Sequence, residues 1–232
     1  MRPTHHILVI EDDPGIAYSL QDGLKREGYT VTWKANGHEG MDFARDIKPH
    51  LIILDVRLPD GSGFDFCRQM RYMGLRQPII MLTVNREEMD KVLGLEMGAD
   101  DYVTKPYSLR ELASRVRAQL RRAYGELAST DSNTLYVGDL LIDRARGQVT
   151  RGEDVVNLTP TEFRLLTFMA QHPNQILNRN QILDAVWGYE SDPDSEQIVK
   201  VNIRRLREKI EIDPSRPTVL LTVPGIGYKL VC

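Results

Sequence analysis

Leu51-Ile-Ile-Leu-Asp-Val-Arg-Leu-Pro-Asp-Gly-Ser-Gly63 is an apolar run that ends on a carboxylate and breaks at once into a turn. A short, unbroken run of branched apolar residues bounded by Pro and Gly is the pattern of a strand buried on both faces. It puts the Asp55 carboxylate at the carboxyl tip of that strand, where open parallel sheets place their chemistry. Neighbouring runs end in the same way. Glu11 and Asp12 close Ile7-Leu-Val-Ile10, Thr83 closes Ile79-Ile-Met-Leu82, and Lys105-Pro106 follows Asp101-Tyr-Val103. The strand ends together supply acids, a hydroxyl and an ammonium.

Outward from this stretch, strand patterns near 6–10, 30–34, 51–54, 78–82 and 101–103 alternate with helix-period segments near 14–27, 38–47, 62–74, 86–97 and 108–124. The alternation predicts an α/β domain, a five-stranded parallel sheet with helices on both faces. Its last helix starts with the capping pattern Ser108-Leu-Arg-Glu111 and carries Leu109, Leu112, Val116 and Leu120 on one stripe. Periodicity then dissolves in Gly125-Glu-Leu-Ala-Ser-Thr-Asp-Ser-Asn133, which is small and polar. We place a linker over 125–134, between domains at 1–124 and 135–232.

The second domain reads as α+β. Short β runs at 135–137, 140–143, 148–151 and 155–158 precede a helix that starts at Thr159-Pro-Thr-Glu162 and carries Phe163, Leu166, Met169 and Ala170. A short helix over 179–187 and a longer one over 195–211 follow, and 218–231 reads as two strands joined at Pro224-Gly-Ile-Gly227.

With 232 residues and 41% apolar content, the chain has core for two domains without a cofactor. Its only cysteines, Cys67 and Cys232, argue against a disulfide framework or a zinc site and for a reducing compartment. No apolar stretch approaches about 18 residues, and the amino terminus runs into a strand without a signal h-region, so neither membrane nor export is expected and the location is read as cytoplasmic. The net charge of −3 excludes a broadly basic nucleic-acid binder. Five bases nevertheless cluster on one helix: Lys200, Arg204, Arg205, Arg207 and Lys209.

Acids converging at strand ends repel one another and call for a cation, and carboxylate oxygens with open water positions suit Mg²⁺. A carboxylate beside such a cation is a phosphoryl acceptor. Phosphoryl transfer is mostly positioning and charge stabilisation, which an ammonium such as Lys105 and a hydroxyl such as Thr83 supply.

On Ile10-Glu-Asp-Asp13, Leu54-Asp-Val-Arg-Leu-Pro-Asp-Gly61, Leu82-Thr83 and Gly98-Ala-Asp-Asp-Tyr-Val-Thr-Lys-Pro-Tyr107, residues 1–122 resemble the flavodoxin-like (βα)5 receiver domain of bacterial two-component response regulators. The whole chain resembles their OmpR/PhoB-type transcription factors. The resemblance implies phosphorylation of Asp55 by a sensor histidine kinase, with Glu11, Asp12, Asp55 and the Arg57 carbonyl around Mg²⁺. It further implies Thr83 and Lys105 on the phosphoryl oxygens, a cis Lys105–Pro106 bond, and Tyr102 turning inward as Thr83 moves toward the phosphate. Slow self-dephosphorylation, tuned by Arg57 and Asn85, is implied in place of enzymatic turnover. A phosphatase with an aspartyl-phosphate intermediate would carry an acid two residues after the nucleophile, where this chain has Arg57.

In the family, phosphorylation promotes homodimerisation through the face of the fourth helix, fifth strand and fifth helix. Lys91 with Glu111, and Asp101 with Arg115, match two of its cross-subunit ion pairs. Met97 and Ala118 stand where a third would be and predict an apolar patch.

Helix 195–211 has its core stripe at Val199, Ile203, Leu206 and Ile210, so a helical wheel places Gln197, Val201, Arg204, Arg205 and Glu208 on the opposite face. An exposed Val201 would meet a thymine methyl while Arg reads guanine. Lys200 and Arg207 flank the stripe, toward phosphates. Thr159-Pro-Thr-Glu-Phe163, Val186-Trp-Gly188, Val201-Asn-Ile-Arg-Arg-Leu-Arg207 and Val223-Pro-Gly-Ile-Gly-Tyr228 resemble the winged helix-turn-helix output domain, which makes 195–211 the recognition helix, with Asn202 in its motif, and the terminal hairpin the wing. Pro224 stands where the wing often carries an Arg and Lys200 where an acid is usual, leaving Thr222, Tyr228 and Lys229 as wing contacts. Double-stranded DNA with direct-repeat sites, and RNA polymerase, are the implied partners. A phosphorylation-independent regulator using its receiver only to dimerise is the other reading, and a broken acidic pocket would favour it.

Overall fold

The structure, a computed structural model, describes residues 5–83, 97–124, 134–188 and 195–231. The chain divides into two compact units, Met1–Tyr124 and Gly125–Cys232. In the first, β1 (His6–Ile10), β2 (Thr30–Lys34), β3 (Leu51–Asp55), β4 (Ile79–Thr83) and β5 (Asp101–Thr104) pair in parallel in the order β2-β1-β3-β4-β5. Growth of the sheet changes direction between β1 and β3, which opens a crevice beyond their carboxyl ends.

Helices α1 (Pro14–Arg26), α2 (Gly37–Ile47), α3 (Gly63–Tyr72) and α4 (Leu109–Tyr124) connect the strands. The segment expected as a helix at 86–97 lies outside the described residues, except for Met97, which sits in a turn. Each start has a local cause. Asp13 accepts from Gly15 N at 2.7 Å and Ile16 N at 2.9 Å, with Pro14 at the first helical position. Asn36 accepts from Glu39 N at 2.9 Å, and Ser108 Oγ from Glu111 N at 3.1 Å.

β3 and β4 are buried along their whole length. Ile7, Val9, Leu51, Ile53, Ile80 and Leu82 pack with Leu112, Val116 and Leu120 of α4 in one core. Each such side chain contributes about 1.5–3 kcal/mol on burial, which holds the polar strand ends at fixed heights. Gly63 closes the crevice: a Cβ there would collide with the Asp55 carbonyl oxygen, so α3 starts against the acid's own backbone.

In the second unit, β6 (Thr134–Val137), β7 (Leu140–Asp143), β8 (Gln148–Arg151) and β9 (Asp154–Val156) form an antiparallel sheet in chain order. The run expected at 155–158 is strand over Asp154–Val156 only, and Leu158 is buried beyond its end. α5 (Pro160–Ala170) and α6 (Arg179–Trp187) both begin with complete capping boxes, Thr159 with Glu162 and Asn178 with Gln181. α7 (Ser195–Ile210) packs against both helices. A three-stranded sheet follows in the order β10 (Ile176–Leu177), β12 (Gly227–Leu230), β11 (Leu220–Val223), with the winged-helix hairpin turning between β11 and β12. β10 had no periodicity to announce it, being two residues long. It explains Gly227, where a Cβ would collide with the Leu177 carbonyl oxygen.

Candidate functional site

The end of β1 is fixed from β2. Trp33 Nε1 donates to the Glu11 carbonyl at 2.7 Å, and Glu11 N donates to the Lys34 carbonyl at 3.2 Å. Glu11 is thereby held at 1% exposure beside Asp55 at 4%, while Asp12 faces solvent. Carboxylate oxygens of Glu11, Asp12 and Asp55 all lie within 4.8 Å of one another.

Lys105 reaches across from the far end of β5, its Nζ 2.7 Å from Glu11 Oε2 and 2.5 Å from Asp55 Oδ2. Its backbone is set by a bond from Lys105 N to the Thr83 carbonyl at 2.6 Å and by the cis Lys105–Pro106 peptide. One ammonium against three carboxylates leaves the pocket with an excess of negative charge. Burial, with Asp55's charge adding to it, raises Glu11 to about 7 against the opposing hydrogen bond from Lys105. Burial would lower Lys105, but its bonds to Asp55 and Glu11 outweigh that and hold the ammonium charged. An all-oxygen donor set, two members buried and one open to water, fits a hard divalent cation. Arg57 N donates to Asp55 Oδ1 at 3.1 Å, and Thr83, 3% exposed, ends the adjacent strand.

Two residues that the sequence did not single out complete this frame. Trp33 is one. Asp60 is the other, accepting from Gly37 N and His38 N at 2.9 Å each and bonding His38 Nδ1 at 2.6 Å, so the turn after Asp55 is tied to the start of α2. Pro59-Asp60-Gly61 read as an ordinary turn, because the partner lies more than twenty residues away.

On the face expected to dimerise, Arg115 bonds within its own chain to Asp101 at 3.2 Å and Glu111 at 3.3 Å. Lys91 lies outside the described residues, as does Asn85. The apolar patch needs correction: Ala118 is buried, leaving Met97 half-exposed. Tyr102 is already buried at 7% exposure.

α7 departs further from its expected face. Val201, expected to be exposed, is buried at 5%, and a contact with a base methyl does not follow. Asn202 is fully buried and donates to the Ile198 carbonyl at 2.8 Å. Arg205 is buried on Glu162 at 2.9 Å, and Tyr228 is buried in the hairpin. Arg207, read as a phosphate contact, bonds the hairpin instead. A helical wheel registers the helix's own stripe but not the elements that cover its flanks. Lys200, Arg204 and Glu208 stay exposed, one turn apart, with Gln197 half-buried beside them; Thr222 is exposed and Lys229 half-buried.

A doubly wound sheet with an acid cluster and a bridging ammonium at its switch point, followed by a winged helix-turn-helix, defines a receiver-type switch joined to an output domain. Residues 7–117 match the response regulator receiver domain, and residues 152–230 the C-terminal domain of transcriptional regulatory proteins. The chain is 44% identical over 223 residues to the DNA-binding response regulator MtrA of Mycolicibacterium smegmatis, covering 96% of this chain and 95% of that one. It is 45% identical over 224 residues to the transcriptional regulatory protein AfsQ1 of Streptomyces coelicolor, covering 97% of each. Among solved structures, a RitR mutant aligns with a TM-score of 0.77 at 28% identity over 97% of this chain and 98% of that one. DrrB, a Thermotoga maritima OmpR/PhoB homolog, aligns at 0.51 with 30% identity over 99% and 100%. The chain belongs to the OmpR/PhoB-type response regulators of two-component systems.

Proposed function

We propose that this response regulator is a DNA-binding transcription factor switched by phosphorylation of Asp55. A sensor histidine kinase donates the phosphoryl group: the P–N bond of its phosphohistidine breaks as a P–O bond forms to the Asp55 carboxylate. The observation that carries the reading is Lys105 Nζ, held within hydrogen-bond distance of both Glu11 and Asp55. Glu11, Asp12 and Asp55, with the Arg57 carbonyl, would hold Mg²⁺, which when bound supplies charge neutralisation for the incoming phosphoryl oxygens. Lys105 and Thr83 contact those oxygens, and Tyr102 follows Thr83. Water attacks the same phosphorus slowly, returning the carboxylate and inorganic phosphate.

The added charge of about −1.5 to −2 acts through the face that carries Asp101, Glu111 and Arg115, which favours a homodimer. The dimer reads direct-repeat DNA through Gln197, Lys200 and Arg204 of α7, with Thr222 and Lys229 on the hairpin, and meets RNA polymerase in the cytoplasm. Among the described residues no helix is long and apolar enough to cross a membrane. The test is intact mass after incubation with a small phosphodonor and Mg²⁺, for wild type and Asp55→Ala, followed by sedimentation. Gain of one phosphoryl group by wild type alone, with dimerisation, is the expected result; dimers without any gain would favour the phosphorylation-independent regulator.

A further inference from the structure

The basic cluster on α7 is divided between two directions. Arg205 and Lys209 turn inward to Glu162, which is fully buried at the start of α5. Arg207 turns the other way. Its Nε donates to the Leu220 carbonyl and its NH2 to Thr222 Oγ1, both at 2.8 Å, on the first strand of the hairpin. One turn further on, the buried Glu211 carboxylate accepts the backbone N–H groups of Thr218 at 2.9 Å, Val219 at 3.1 Å and Leu220 at 2.7 Å. A carboxylate that takes donors thus grips the chain entering the strand, Thr218 to Leu220, and a guanidinium that takes acceptors grips the strand itself, at Leu220 and Thr222. Fixed forks of this kind set an orientation that a point charge does not.

We propose that Arg207 and Glu211 are positioning residues that set the hairpin at its angle to α7, and that they govern DNA affinity through that placement rather than through phosphate contact. The inference rests on the DNA-binding reading above. It has an uncommon consequence for Glu211: its carboxylate is repelled by DNA, so on charge alone its removal would strengthen binding, whereas loss of the grip weakens it.

The test uses the full-length protein and a mixed-sequence double-stranded DNA, with binding measured over a series of salt concentrations. Arg207→Gln, Arg207→Lys and Glu211→Gln each weaken binding by roughly tenfold with the wild-type salt slope. Lys200→Gln, at an exposed position, lowers that slope by about 0.9. Backbone hydrogen exchange in the Arg207 and Glu211 variants rises across 218–230 and stays unchanged in α5 and α6, which separates a moved hairpin from an unfolded domain. The proposal is overturned if Arg207→Lys binds like wild type, if Arg207→Gln lowers the slope, if Glu211→Gln binds more tightly, or if exchange in 218–230 is unaltered. A wild type that binds no DNA at low salt would instead overturn the DNA reading, and the exchange data alone would then judge the grip.

Discussion

Lys105 and Glu162 are mirror images. In the receiver unit one ammonium sits between two buried carboxylates, at 2.7 and 2.5 Å; in the output unit one buried carboxylate sits between two cations, at 2.9 and 2.5 Å. The surplus decides what each can do. Around Lys105 negative charge remains over, Glu11 is pushed up to about 7, and the three carboxylates could hold a further cation. Burial would raise Glu162, but Arg205 and Lys209 outweigh it and hold the carboxyl below its ordinary value, while Thr159 N takes up the same carboxylate at 2.8 Å. That cluster is closed, and it ties α7 to α5. The surplus cation of that cluster, Lys209, is partly exposed to water and needs no further ion, whereas the surplus of carboxylates around Lys105 leaves room for one.

The largest test of this contrast is Glu162→Ala. It leaves the buried Arg205 and the half-buried Lys209 without their anion and removes half of a capping box, so the output unit loses about 3–5 kcal/mol. Urea unfolding that follows the output unit through Trp187, fully buried there, reads the loss. A drop below about 1 kcal/mol would mean that the cluster is as weak as a surface pair. Asp55→Asn has the opposite sign. Removing one of two repelling acids leaves Lys105 and Glu11 as a matched pair, and without divalent cations the receiver unit gains about 1 kcal/mol. Thermal unfolding in excess chelator checks it, and destabilisation would show that the resting pocket is already balanced.

The same contrast explains what could be read from the chain. Asp55, Glu11, Thr83 and Lys105 were legible because a buried strand fixes where its last residue stands, and five such strands in parallel bring their ends together whatever the loops do. Trp33 and Asp60 were not, since each acts through a bond to an element distant in sequence. Val201 and Arg205 were misplaced for a related reason. A helical wheel orders residues around one axis, and their burial depends on what surrounds that axis. Helix starts, by contrast, were local and readable, as Thr159-Pro-Thr-Glu162 was.

A third cluster, at the opposite end of the receiver sheet, holds imidazoles with no carboxylate bonded to them among the described contacts. His50 Nδ1 accepts from His6 N at 3.0 Å, and the His5 and His50 rings meet edge to face at 5.2 Å. Tyr124, raised to about 12 by burial and by Asp100, packs on both rings, and His6 Nε2 bonds Thr32 Oγ1 at 2.9 Å. Burial first, and then the charge of His50, lower both His5 and His6 from 6.5. When the folded value of a histidine is depressed, the unfolded chain binds more protons just below 6.5, so stability is full above that pH and declines as pH falls through it. The rings are partly exposed and screened, which keeps the effect below about 1 kcal/mol. His50→Gln retains an acceptor for His6 N and removes the lesser of the two causes that lower His5 and His6, so the decline becomes shallower. Urea midpoints of both proteins on either side of 6.5 give the difference. Parallel curves would show that His50 contributes nothing to the lowering of His5 and His6 and that burial alone sets it.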